Sequence, residues 1–161
     1  MHDRDDAREG APDLKRVAAT RRSDGDVRLA LSLVDTLAAS DLLADEDAGG
    51  PPGSICVSLW TVSKPGTTRP DRLACVTAQG DGKTLRATIS REVPGALPST
   101  VGRATLTRPS DTSIALLIRA DLLGRPRRLA FAGEATASGC ARLSCVDLAP
   151  DAGATRMLRL R

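Results

Sequence analysis

Ile55-Cys-Val-Ser-Leu-Trp-Thr-Val62, Leu73-Ala-Cys-Val-Thr-Ala-Gln79 and Leu85-Arg-Ala-Thr-Ile89 follow one another, with Pro65-Gly66 and Gly80-Asp-Gly-Lys83 between them. Each run alternates apolar and polar residues, and each gap holds turn formers. Period-two alternation bounded by such residues marks half-buried strands joined as hairpins. Centring the first hairpin on Pro65-Gly66 sets Cys56 opposite Cys75. Centring the second on Asp81-Gly82 sets Val76 opposite Ala87 and Ala74 opposite Ile89. Both pairings give one inner face: Ile55, Val57, Leu59, Ala74, Val76, Ala78, Leu85, Ala87 and Ile89. A slip of one residue would turn every side chain over, so the agreement of two separate turns specifies the register. The other face carries Cys56, Ser58, Trp60, Cys75, Thr77, Arg86 and Thr88 and is the wetter one.

The same signals extend outward from this meander. Toward the N-terminus, a strand from Asp13 to near Thr20 leads into a turn at Asp24-Gly25. Residues 27–44 fit two readings. Val27, Leu29, Leu31 and Leu33 alternate, whereas Leu29, Leu33 and Leu37 recur at helical spacing. The turn behind them favours a strand over 27–35, followed by a short helical turn with Ser40 as N-cap. Asp45-Glu46-Asp47 opens a Gly- and Pro-rich loop and lacks the ordered ligand spacing of a calcium site. Toward the C-terminus, Val101–Arg108 and Thr112–Ala120 form a hairpin across Pro109-Ser110-Asp111, with Ile114, Leu116 and Ile118 inward. Asp121–Gly124 reads as a short helical turn closed by Gly124. Arg127–Ala135, Arg142–Leu148 and Thr155–Leu160 supply the last strands. The expected architecture is an all-β antiparallel sandwich, jelly-roll or Ig-like, of eight or nine strands with one or two helical turns. Residues 1–12 are expected to be a flexible arm and 13–161 a single domain.

The interior must be built from Leu, Val, Ile and Ala. The chain of 161 residues has no Tyr, one Phe (Phe131) and one Trp (Trp60). Smaller side chains bury less area each, which gives covalent links more weight. Four cysteines allow three pairings. The hairpin register proposes Cys56–Cys75, and nearness along the chain proposes Cys140–Cys145. Free buried thiols in a cytoplasmic, partner-binding protein are the alternative. Zinc is disfavoured, because close C-x2-C pairs are missing. Two disulfides are the preferred reading, and they imply an oxidising compartment, extracellular or at the cell surface.

Charge and motif content narrow the function classes. The formal charge is +3, from 23 basic and 20 acidic residues. The basic residues are scattered and stacking aromatics are lacking, which argues against nucleic acid. No apolar run is long enough for a membrane span, and the charged N-terminus is not a signal peptide. His2 is the only histidine, so a Ser-His or Cys-His pair is poorly supported. Glu92, Glu134, Asp147 and Asp151 are conceivable paired carboxylates, but each stands at a strand end or turn, where carboxylates are usually surface groups. The expectation is therefore a protein that is not an enzyme and holds no metal or cofactor. Trp60 is a possible ligand platform, for sugar in particular. Its plainer role is to cover the neighbouring disulfide.

Three further stretches carry a likeness to a known class. They are V-G-R-A-T-L-T-R-P-S-D-T-S-I-A-L (101–116), L-L-G-R-P-R-R-L-A-F-A-G-E-A (122–135) and C-A-R-L-S-C-V-D-L-A-P-D-A-G (140–153). The chain resembles actinobacterial exported β-sandwich domains of DOMON-like or family-9 carbohydrate-binding-like architecture. The most specific part is Leu123-Gly124-x-Pro126 followed by Cys145-Val-Asp147-x-Ala-Pro150-Asp151. The resemblance implies an extracytoplasmic, non-catalytic, disulfide-bonded module, structural or ligand-presenting, with a glycan or another surface protein as partner. Sugar-binding members use several aromatics, and haem-binding members use Met and His. This chain has Trp60 alone, with His2 and Met157 isolated, so only the paired cysteines carry over.

Overall fold

The computed structural model describes residues 12–44, 50–61, 69–139, 146–149 and 156–159. Ten strands run through them: β1 (Arg16–Arg21), β2 (Val27–Ser32), β3 (Ser54–Trp60), β4 (Arg72–Ala78), β5 (Leu85–Arg91), β6 (Ser99–Ser110), β7 (Ser113–Ile118), β8 (Arg128–Thr136), β9 (Val146–Ala149) and β10 (Arg156–Arg159). All pairings are antiparallel, and the path is β1-β2-β7-β6-β5-β4-β3-β8-β10, with β9 also on β8. The all-β antiparallel expectation is met. The two separate sheets of a sandwich are not what the pairing path gives. The strands form one continuous sheet, curled until it is nearly a closed barrel.

The joint that makes this possible is β6. Its first half pairs with β5, from Arg91↔Ser99 to Ala87↔Ala104, and its second half pairs with β7, from Thr105↔Leu117 onward. Register shifts at Ile89/Ser90 and Thr107/Ser110 add local bend and twist on either side of it. A twelve-residue strand irregular at both ends turns the corner that a sandwich would make with a loop. β9 and β10 lie end to end along the far edge of β8, opposite Gly133–Thr136 and Arg128–Phe131 respectively.

The expected meander is present with its register intact. Cys56 faces Cys75, Val76 faces Ala87 and Ala74 faces Ile89. Ile55, Val57, Leu59, Ala74, Val76, Ala87 and Ile89 are buried in the core, with Ala78 and Leu85 packed at its margin. Residues 27–32 are a strand, which settles the strand-or-helix ambiguity. Its burial alternates strictly, and Gly25 at φ +92° supplies the turn before it. β-Pairing on both sides, to β1 and β7, outweighs the helix preference of Leu and Ala.

Plugs close the two ends. At one end a 3-10 turn, Ala39–Leu42, buries Leu42 beneath Gly53 and sets Leu43 against Gly82 of the β4–β5 turn. Ser40 is not its N-cap. Ala38 holds that position, and its N–H donates to the Asp41 carboxylate at 2.7 Å. At the other end the turn Ala120–Gly124, closed by Gly124 at φ +74°, seats Leu122 against Gly102. Phe131, the single phenylalanine, is buried among aliphatic side chains. No helix among the described residues is long and apolar enough to cross a membrane.

Candidate functional site: the outer face of strands β3, β4 and β8

Cross-strand register places Leu148, Glu134, Cys56, Cys75, Thr88 and Arg103 in one row across the outside of the barrel. Each residue comes from a different strand, β9, β8, β3, β4, β5 and β6 in turn. Its centre is the Cys56–Cys75 disulfide, with Cα atoms 4.0 Å apart. Cys56 is buried and Cys75 half-buried, so the bridge is reached from the β4 side. Cys140 and Cys145 lie outside the described residues, as do His2, the acidic trio 45–47, Asp151 and the Pro65-Gly66 turn.

Glu134 stands beside Cys56 and is half-buried. Burial pushes its carboxyl above the usual carboxylate range, because low-dielectric surroundings disfavour the charged form. Its sequence context suggested an ordinary surface carboxylate. Flanking strands β3 and β9 are what partly cover it.

Trp60 occupies the end of β3, half-buried on the same outer face. Ala130 of β8 is its neighbour on one side, and Met157 of β10 lies beyond Ala130, largely exposed. On the other side the register continues to Asp71 and then Glu92, whose N–H donates to the Asp71 carbonyl at 3.1 Å. Asp71 in turn takes the Thr61 N–H at 2.7 Å and the Thr61 hydroxyl, which pins the strand end that carries the indole. Four residue steps of extended chain, about 13 Å along the backbone, lead from Cys56 to Trp60, with Ser58 between them on that face.

Among the described residues, the conceivable carboxylates Glu92, Glu134 and Asp147 are not brought together. Glu134 points outward, whereas Asp147 lies opposite Ala135 and is buried. Asp147 accepts the Leu14 N–H at 2.6 Å, a charge-assisted bond that ties the segment before β1 to β9. Glu92 lies near the opposite end of the barrel, after β5. Arg72 is a second residue whose place the sequence did not signal. It stands on the inner parity of β4, where its guanidinium donates to the Leu122 carbonyl at 3.2 Å and the Asp71 carbonyl at 2.8 Å. Alternation alone would have put an arginine outside. As the first residue of β4, at the barrel end, it can lay its stem along the interior margin while its head reaches carbonyls. Among the described residues no group of His, Cys, Asp and Glu has the arrangement of a metal site.

No protein-family model, curated protein or solved structure matches this chain.

Proposed function

We propose that the chain is a non-catalytic β-module of an oxidising compartment, secreted or displayed at a cell surface, with a structural or ligand-presenting role. The observation that carries this reading is the Cys56–Cys75 disulfide laid across the middle of the sheet. Such a bridge is compatible with an extracellular location and is uncommon in reducing cytoplasm. The likeness to DOMON-like and family-9 carbohydrate-binding-like modules supports the same reading. The test is blocking of free thiols in cells that express the chain, followed by peptide mapping with and without reductant. The expected result is a linked Cys56–Cys75 peptide that takes up label only after reduction. Free label at both residues in the native host would overturn the reading and favour a cytoplasmic partner-binding protein.

A second reading is weak glycan binding centred on Trp60. It rests on one observation: the half-buried indole shares its face with Asp71 and Glu92, an apolar platform next to hydroxyl acceptors. The chain has a single tryptophan, so its fluorescence reports on this place alone. Saturable shifts on adding oligosaccharides, lost in Asp71→Ala, are expected. An unchanged spectrum across neutral, acidic and aminated glycans would refute it.

A further inference from the structure

Two turns meet at one end of the barrel. The β1–β2 turn spans Arg22–Asp26, and the turn after β7 spans Ala120–Gly124. Asp26 joins them by accepting the Ala120 N–H at 2.9 Å. Between the turns lies an open cavity of about 540 Å³. That is within the size range of small-ligand pockets, and the mouth of a barrel is a common place for one. Val27, Leu123 and Pro126 give it apolar walls, and six charged residues line it: Arg21, Arg119, Arg125, Asp24, Asp26 and Asp121.

The formal charges cancel, but their engagements do not. Each carboxylate is occupied inside the protein. Asp26 holds Ala120, Asp24 takes the Asp26 N–H at 3.0 Å and lies 3.5 Å from Arg22, and Asp121 is paired with Arg119. The pairing with Arg119, with hydrogen bonds, holds the Asp121 carboxyl below the usual range. The guanidinium groups of Arg21 and Arg125 make no hydrogen bond or ion pair with any described residue. The Arg21 guanidinium sits over Gly25, 3.7 Å from where a Cβ would stand there. Arg125 has φ +52°, the one non-glycine residue in the left-handed region among those described. Its backbone role is to give its N–H to the Ala120 carbonyl at 2.9 Å, which glycine would do without steric cost. An arginine held in that conformation and lining a cavity, with its head group unengaged among the described residues, is a signature of strain kept at a functional position.

We propose that Arg21 and Arg125 clamp a small organic anion, bearing a carboxylate or phosphate group, whose carbon skeleton rests on Val27, Leu123 and Pro126. Guanidinium groups match both oxyanions by paired N–H donors. None of the residues that line this cavity is on the face that carries Trp60.

The test is titration of the isotope-labelled, oxidised chain with inorganic phosphate and, separately, succinate, with choline as a cationic control. Amide shifts are read at Arg21, Gly25, Ala120 and Arg125. Saturable shifts with at least one anion and none with choline are expected, and the responding anion identifies the headgroup. Arg125→Gly relieves the backbone, so it should melt at the same temperature or higher while binding about tenfold or more weakly, the scale of one lost charge-assisted contact. Arg21→Ala should weaken binding similarly, and Arg86→Ala on β5 should leave it unchanged. Absence of saturation with both anions overturns the proposal. So does retained affinity in Arg125→Gly, or equal weakening by Arg86→Ala.

Discussion

Glu134 shows what one buried charge does to this molecule. Folding moves its carboxyl into a half-buried place beside Cys56 and raises its proton affinity. The folded state therefore holds that proton to a higher pH than the unfolded chain does. Stability falls as pH rises from the ordinary value of 4.5 through the raised folded value, and the penalty is complete above it. Glu134→Gln keeps the shape and removes the charge. Denaturant melts should find the variant more stable than the parent at neutral pH, with the difference disappearing below the ordinary carboxylate range. A constant difference across pH would mean that the side chain acts through packing alone. Asp147 is the opposite case: its buried carboxylate is met by the Leu14 N–H, and removing it would leave a buried donor unsatisfied.

At the scale of elements, the β3–β4 pair is held twice, by its ladder and by its disulfide. The bridge closes a loop of eighteen intervening residues, and restricting the unfolded chain by such a loop is worth about 3 kcal/mol. Cys56→Ala with Cys75→Ala should lower the unfolding free energy by roughly that amount, measured in urea under non-reducing conditions. The cysteines face outward while Ile55, Val57, Ala74 and Val76 face in, so the double variant should keep the native circular dichroism spectrum. A loss of structure would place the pair in the core instead. Alternation and turn chemistry made this element readable from sequence, because the hairpin is local. The corner in β6 was not readable in the same way. Its irregularities at Ile89/Ser90 and Thr107/Ser110 answer to the curvature of the whole sheet.

The scale of the whole molecule is set by the seam, where the β1 segment approaches β8 and β9 without pairing with them. Gly133 lets this happen. A Cβ there would stand 2.4 Å from Val17 Cγ2 and 2.7 Å from Leu14 Cδ2, so the inner side chains of the β1 segment use its empty space. Gly133→Ala should destabilise by about 1–3 kcal/mol, the usual cost of overpacking. Amide exchange should show the loss first at β1 and β9, with β3 and β4 still the slowest-exchanging strands. Uniform acceleration across the sheet would show that the seam is not a separable unit.

The chain by itself determined what depends on near neighbours: strand period, the Asp24-Gly25 and Asp81-Gly82 turns, the Cys56–Cys75 register and the aliphatic inner face. These follow from side-chain alternation and turn geometry, which act over a few residues. Only the tertiary structure decided that ten strands make one nearly closed sheet and that Asp147 is buried against Leu14. Those outcomes depend on pairings between residues over a hundred positions apart, such as Leu14 with Asp147, and on where glycines permit close approach. Neither leaves a periodic mark on the stretch of chain where it acts.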